Sequence, residues 1–598
     1  MVVEQEVLPY LTWLTTGGAS DWTSLQGALV RFGLAVGAIS VLALVISYIV
    51  LLVRYGPLKA GDITYRTVVG GIGELMRLSP RRIYALARLA VKESLRRRVL
   101  ITLLIFALIL VFASWFLKSN NPQPARLYLS FVLTSTTYLI LLVSLLLSAF
   151  SLPGDFKSKT IYTIVTKPVR AIDIVLGRIL GFTAIGTLLL AIMGLASYWF
   201  VIGSLSHTHQ IDEATVEKIA GPDGKSLGQT ARTSNDLYHS HSVEVNPDGV
   251  GFALEDRGHE HDKNLLRARV PQLGKIRFLD RNGQPADRGI SVGAEWGYRS
   301  FIEGGTLATA IWTFDGINES LLRDDALPIE LTVRVYRSYK GDINAPIQGT
   351  IQLVNPKTEL KSNPIYFGAK DVKIDSFNFP RTLNDVAGNE IDLLKDLVAD
   401  GRIEVRVQCI DRAQYYGFAQ ADAYIRLPDG VPWWNFAKAY VSIWVQMVLV
   451  IAVGVTASTL LSGPVAMMFT VSFLLLGLFR DFFAGVAFGV NAEGDKVYGG
   501  GPVESLVRLV TQKNVMTPFD DSPAVRIMQG IDSVAEGAMQ ALTYVLPDFS
   551  RFSRENYVAD GFQIPTSATL QDLTTCAAYV VGLAIAGYFF LRTREVAK

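Results

Sequence analysis

Several things are scarce in this 598-residue chain, and each scarcity closes a route. There are two cysteines, Cys409 and Cys576, and the second sits in an apolar run near the C-terminus, so the fold is not expected to rest on a disulfide. No P-loop is present. The nearest string, Gly221-Pro-Asp-Gly224-Lys225-Ser226, lacks the G-x-x-x-x-G-K-[ST] spacing that wraps a nucleotide phosphate. The apolar runs hold no H-E-x-x-H or S-x-x-K signature, which leaves an intramembrane hydrolase without support. The net charge of +2 says nothing about partners, because the charge is segregated by segment rather than absent; no nucleic-acid partner is expected. The acidic start, MVVEQEVLPYLTWL, has no basic region ahead of an apolar stretch, so a cleavable signal peptide is not expected.

Hydrophobic length is abundant. Half of the residues are apolar and the mean hydropathy is +0.30. Phe32 to Val53 is free of charge and long enough to cross a hydrocarbon core of about 30 Å. Glu4, Glu6 and Asp21 precede it, whereas Arg54, Lys59 and Arg66 follow, so the positive-inside bias predicts an N-terminus outside. Val99 to Leu117 and Leu127 to Pro153 are the next expected spans, followed by Ile179 to Ser206. Ala439 to Phe479 carries no charge and predicts two crossings that turn at Ser462-Gly463-Pro464. Leu573 to Leu591 is the last, with Arg592 and Arg594 placing the C-terminus inside. Trp115-Phe116, Trp199-Phe200 and Trp433-Trp434 all fall at outer ends in this arrangement, as an aromatic belt requires.

Two segments carry charge against this apolar background. Ser79 to Arg98 predicts an amphipathic helix in the headgroup plane, with Arg88, Lys92 and Arg96 stacked on one face toward anionic lipid and Glu93 four residues before Arg97. Leu152 to Leu180 predicts a cytoplasmic elbow between two spans, with a short structured piece at Thr160 to Thr166 that Pro168 ends. A helix then restarts at Ala171 to Gly177 and runs into the next span. A charged, folded elbow offers a surface for a soluble partner.

That elbow resembles the coupling loop of ABC-2 type transporter permeases, closest to the branch of permeases for multi-copper enzyme maturation. The family usually shows an acidic residue, Gly-Thr, a Pro-basic pair and a helix opening Leu-Gly-Lys. Here those positions read Asp155, Lys159-Thr160, Pro168-Val169-Arg170 and Leu176-Gly177-Arg178, with Asp for the commoner Glu and Lys159 for the usual Gly. The ending FFLRTRE is similar to the family's aromatic span followed by Arg-Arg-Glu. The resemblance covers roughly the membrane half of the chain. It implies a six-span core preceded by one extra N-terminal span, a permease dimer, and separate ATPase subunits that bind ATP and Mg²⁺. Asp155, Lys157, Lys159, Thr160, Lys167, Pro168 and Arg170 would then form the ATPase contact. It further implies an exporter in a bacterial inner membrane that binds no cofactor itself. A membrane-anchored binding or assembly protein without transport is the competing expectation.

Residues 207–430 change character, with alternating strands such as Ile329 to Tyr336 and Ile403 to Val407 punctuated by Gly-Asp, Asn-Gly and Pro-Asp-Gly turns. Only Glu390 to Ala399 reads as helical. The expectation is an inserted extracytoplasmic β-sandwich of jelly-roll type, which makes the whole an α-helical polytopic membrane protein with an inserted mainly-β domain. The predicted divisions are 1–78, 79–206, 207–430, 431–490, 491–568 and 569–598, the fifth holding amphipathic helices at the outer face (Val503 to Leu509, Ala524 to Leu546). All six histidines form H-x-H pairs, His207/His209, His239/His241 and His259/His261. On a strand each pair points to one side, where copper or zinc could accept the imidazoles and Asp256, Glu260 or Asp262 could add oxygens; solvated loop histidines are the alternative. Arg480-Asp481 interrupts an apolar run. It marks either a substrate pathway or a local pair with the arginine reaching the interface.

Overall fold

The computed structural model describes residues 7–17, 27–96, 99–117, 124–159, 169–206, 209–220, 226–235, 240–245, 251–253, 266–286, 288–292, 299–323, 325–338, 345–371, 374–489, 501–514 and 517–594. Its contacts divide into two compact units: Arg267–Val431, and Val7–Leu266 joined to Pro432–Lys598.

The second unit is helical. Its helices are α1 (Tyr10–Thr15), α2 (Ala28–Tyr55), α3 (Pro57–Met76), α4 (Pro80–Arg96), α5 (Ile101–Phe116), α6 (Pro124–Lys157) and α7 (Ala171–Leu205). After the β-rich insertion come α8 (Pro432–Leu460), α9 (Gly463–Leu478), α10 (Arg480–Phe488), α11 (Pro502–Thr511), α12 (Pro523–Val545), α13 (Glu555–Ala559) and α14 (Thr566–Thr593). Five of these, α2, α6, α7, α8 and α14, are long and apolar enough to cross a membrane; α9 and α10, bent by 67° at Phe479, make a sixth if taken as one broken span. At 16 residues α5 is about 24 Å long, short of a full hydrocarbon core on its own. Among the described residues, the seven expected spans correspond to five helices of spanning length, one bent helix pair and one short apolar helix.

α8 lies at the centre, with 89% of its apolar window buried and α6, α7, α9 and α14 packed around it. Its neighbours approach closely because small residues line the contact: a Cβ on Gly454 would lie 2.1 Å from Ser148 Oγ of α6. Hydroxyls satisfy one another across the packed faces, as Tyr440 Oη donates to Ser197 Oγ at 2.7 Å and Thr456 Oγ1 to the Leu583 carbonyl at 2.9 Å. In a medium without water, such internal pairing is what polar groups require.

Two expected boundaries shift and a third holds. α6 does not stop at Pro153 but continues to Lys157, with the proline inside its last turns. Proline loses its own N–H bond and crowds the carbonyl four residues back, and the helix continues past it because the charged residues beyond are anchored as described below. The Pro57–Met76 segment, expected to be linker, is a 20-residue helix with Pro57 in its first turn. The turn at Ser462 falls where expected, with Ser462 as N-cap of α9.

The Arg267–Val431 unit is mainly β. A six-stranded sheet runs in the order Ile365–Ala369, Ile347–Val354, Ile403–Cys409, Thr309–Phe314, Lys275–Leu279, Pro285–Ala286. A four-stranded sheet runs Ile374–Pro380, Ala326–Thr332, Ala423–Leu427, Val270–Leu273, and a three-stranded one Arg334–Arg337, Gln414–Phe418, Ser300–Glu303. Alternate residues of the sheets share one core that includes Trp312, Phe314, Ile329, Leu331, Val405 and Tyr416. Tyr416 Oη reaches the Ile347 carbonyl at 2.6 Å and Trp312 Nε1 the Gln420 carbonyl at 3.1 Å, so the buried polar tips are paired.

Two segments within this unit differ from expectation. The run Ile329 to Tyr336 is not one strand: it breaks at the buried Val333 and serves two sheets in turn. Glu390 to Ala399 is not a helix throughout. Glu390–Asp392 pairs with Thr382–Asn384, and only Leu393–Asp396 is helical, because Asp392 accepts from the Leu394 and Lys395 amides and so fixes the N-cap there. The strands between Ile211 and Ala253, expected in the same 207–430 domain, form a separate four-stranded antiparallel sheet that groups with the helical unit.

Candidate functional site

The strongest cluster of buried charge at the basic end of the spans is centred on Arg178, in the third turn of α7 and 4% exposed. Its guanidinium forks: Nη2 donates to Asp155 of α6 and Nη1 to Glu93 of α4. One side chain thus ties three helices. Gly177 and Gly181 make this possible, since a Cβ on either would lie within 2.6 Å of α4 atoms, at Leu86 Cβ and the Ala87 carbonyl respectively. The Leu-Gly-Arg opening of α7 reads physically as a flat surface for α4 followed by the cation that locks it. Glu93, expected to pair with Arg97, is used here instead; Arg97 lies outside the described residues.

Arg170 is the N-cap residue of α7, with extended backbone and its own amide 3.4 Å from Asp173 Oδ2. Its Nη1 donates to the Arg77 carbonyl and, at 3.3 Å, to the Glu74 carbonyl, so it caps the C-terminal end of α3. Glu74 in turn pairs with Arg592 at the end of α14. Asp173 is fully buried, with Arg82 of α4 at 4.0 Å. Arg594 donates to the Thr459 carbonyl at 3.1 Å and lies 4.0 Å over the Phe156 ring. The ends of α3, α4, α6, α7, α8 and α14 are joined by this network.

The predicted contact residues separate into two groups. Asp155 and Arg170 point inward and hold the helices together, so they are not a free surface. Lys157 and Lys159 are exposed, and Lys159 has a φ of 58°, a region that favours glycine. Thr160, Lys167 and Pro168, with the Thr160 to Thr166 piece, lie outside the described residues. On α4 the face division holds: Arg88, Lys92 and Arg96 are exposed while Ala90 and Ser94 are buried.

The other candidates lie elsewhere. Arg480 sits at the bend after α9, where Nε donates to the Thr543 carbonyl at 3.0 Å and Nη1 is 3.6 Å from Asp481, an arrangement that fastens α10 to the end of α12. Of the histidines, His209 and His241 are described. Their rings are 5.0 Å apart, with His209 Nδ1 2.7 Å from the Ser234 carbonyl and His241 buried. The approach is thus between members of different H-x-H pairs; His207, His239, His259 and His261 lie outside the described residues. Among the described residues no group of three or more His, Cys, Asp or Glu is disposed to hold a metal ion.

A second polar layer, at the opposite end of the spans, escaped the sequence reading. Arg554 makes a bidentate pair with Asp572 of α14 at 2.6 and 3.0 Å, both side chains buried. Asn435 clamps the strip after α13, donating to the Phe562 carbonyl and accepting from the Ile564 amide, each at 2.8 Å. Lys438, 1% exposed, donates to the Ile564 carbonyl. The available signal was position: Lys438 and Asp572 are the residues immediately before two charge-free runs. Compared with known proteins, the chain matches no family model and no curated sequence.

Proposed function

We propose that the chain is the membrane-spanning permease subunit of an ATP-driven exporter of ABC-2 type, working as a permease dimer with two separate ATPase chains in a bacterial inner membrane. The observation that carries this reading is the Arg178 fork. It makes the start of α7, the end of α6 and the interfacial helix α4 one mechanical piece, so a push on the adjoining elbow is delivered to spans rather than dissipated in a loop. Lys159 adds support, because it adopts a glycine-like φ at the position where the resembled family has glycine. In this reading Lys157, Lys159, Thr160, Lys167 and Pro168 meet the ATPase, while Asp155, Arg170 and Arg178 position them. Arg88, Lys92 and Arg96 hold α4 at the anionic headgroups.

The competing reading is a membrane-anchored binding or assembly protein, favoured by the size of the β unit and its own continuous core. Purification of tagged full-length protein in mild detergent separates the two. The permease reading expects an ATPase chain to co-elute, and reversing charge at Lys157, Lys159 and Lys167 to abolish that co-elution with membrane insertion intact. An intact membrane protein that elutes with no ATPase at any ionic strength would support the anchored reading instead.

A further inference from the structure

The helices α11 and α12 have their polarity turned inside out. Asp532 of α12 is 3% exposed, yet its two carboxylate oxygens accept from the Val503 and Glu504 amides at the start of α11, at 2.7 and 2.8 Å. Glu504, 9% exposed, is held by Arg508 one turn later at 2.7 Å. The apolar residues point the other way: Leu506, Leu509 and Val510 on α11, and Ile527, Ile531 and Val534 on α12, are all more than half exposed. A helix pair surrounded by water buries the opposite set.

α12 resolves what its surroundings must be, because it has three faces rather than two. Met528, Asp532 and Thr543 face the protein and are buried. Ile527, Ile531 and Val534 form one exposed row, and Arg526, Gln529 and Ser533 form another. At 3.6 residues per turn the centres of the two exposed rows lie about 135° apart, and the protein-facing row occupies the opposite side, roughly 100–125° from each. A helix lying in the plane of a membrane surface needs this arrangement, with acyl chains on one side, water on the other and protein flanking it.

The pair is continuous with the spans. Gln540 donates to the Ala487 carbonyl of α10 at 2.8 Å, and Arg480 to the Thr543 carbonyl at 3.0 Å. The chain leaving α12 returns to the end of α9, where the Phe549 amide meets the Gly477 carbonyl at 3.1 Å. α9 spans only about 24 Å before the 67° bend, so it stops within the leaflet that α10 then follows. This is the membrane face remote from Arg594, which lies beside Thr459 before α9 begins.

We propose that α11 and α12 form a hairpin seated in the membrane–water interface on that face, its apolar rows in the acyl region of the leaflet. The inference rests on the chain being a membrane protein and is independent of any ATPase, so the two readings fail separately. The test uses full-length protein with single added cysteines at Ile531, Val534, Gln529 or Ser533, each labelled with an environment-sensitive fluorophore. The native Cys409 and Cys576 are buried and stay dark. In phosphatidylcholine vesicles carrying a nitroxide near the top of the acyl chain, probes at 531 and 534 should lose emission about two-fold or more and resist aqueous iodide, as interfacial burial of the apolar face requires. Probes at 529 and 533 should show the reverse. Iodide quenching at 531 and 534 overturns the proposal, as does shielding from both quenchers together with 531–531 cross-links between chains, which would make a second copy the occupant. Melting temperatures equal to the unmodified protein's establish that each exposed-site variant is folded.

Discussion

Replacing Arg178 by Met keeps an unbranched apolar stem and removes the guanidinium that Asp155 and Glu93 share. Breaking a buried ion pair by deleting one partner costs about 3–5 kcal/mol, because the remaining charge stays desolvated. The cost should be graded by burial. Asp155→Asn retains an acceptor oxygen and leaves the Glu93 arm intact, so about 1–2 kcal/mol is expected. The Glu93 side chain is 24% exposed, and Glu93→Gln should cost about 1 kcal/mol or less. At roughly 0.8 °C per kcal/mol for a chain of this size, Arg178→Met should melt about 2–4 °C below the parent, and the two acidic variants within about 2 °C. Tryptophan fluorescence of the full-length protein during a thermal ramp in detergent reads all three. An Arg178→Met protein that melts within 1 °C of the parent, or an order in which Glu93→Gln is the most damaging, would refute the hub.

Four further outcomes are expected. Lys159→Gly should raise the melting temperature by about 1 °C, since a left-handed backbone costs a non-glycine residue roughly 1 kcal/mol; an unchanged or lower value removes the strain argument. A cysteine placed in the 340s should react with an impermeant thiol reagent in spheroplasts while one placed after Arg594 should not, and the opposite pattern would invert the topology. Burial pushes the Cys409 thiol from about 9 up to about 12, so its contribution to stability is complete below pH 9 and is lost as pH rises toward 12. Stability of the parent should therefore fall faster above pH 9 than that of Cys409→Ala, by up to about 1.4 kcal/mol per pH unit, and parallel curves would exclude it. Titrated with Cu²⁺, the full-length protein should bind no tighter than a two-imidazole pair and lose that binding in His209→Ala; tight binding that survives His209→Ala would place the metal on the other histidines.

What was legible in the sequence followed from local physics. Ala439 to Phe479 announced apolar helices because it carries no charge, and the Ser-Gly-Pro turn between α8 and α9 follows from proline and glycine chemistry, but the bend that leaves α9 at 16 residues did not show in its hydropathy. The faces of α4 were legible from its 3.6-residue period. Asp392 shows a signal present but passed over: a capping acid inside EIDLLKDLVA moved the helix start by three residues and released a strand before it. The Arg178 hub was of another kind. Its position stood out in the Leu-Gly-Arg motif, but its partners lie 23 and 85 residues away, and no periodicity links them. The same holds for Arg554 and Asp572, which only the packed bundle brings together. The inverted faces of α11 and α12 are periodic in sequence, but which row meets protein depends on Asp532 finding the start of another helix.

The central position of α8 has a consequence for how the protein is made. The spans α6 and α7 are synthesised before the β insertion, and α8 only after it. About 230 residues separate Leu205 from Pro432, which at 5–20 residues per second is roughly 10–45 s of translation. Throughout that interval the surfaces that will grip α8, including Ser148, Thr136 and Ser197, are without their final neighbour. The nascent chain is therefore a half-built bundle with a polar-lined vacancy, waiting while a mainly-β unit is delivered. Shortening the insertion would shorten that interval, and with it the time the hydroxyl-lined faces of α6 and α7 wait for α8.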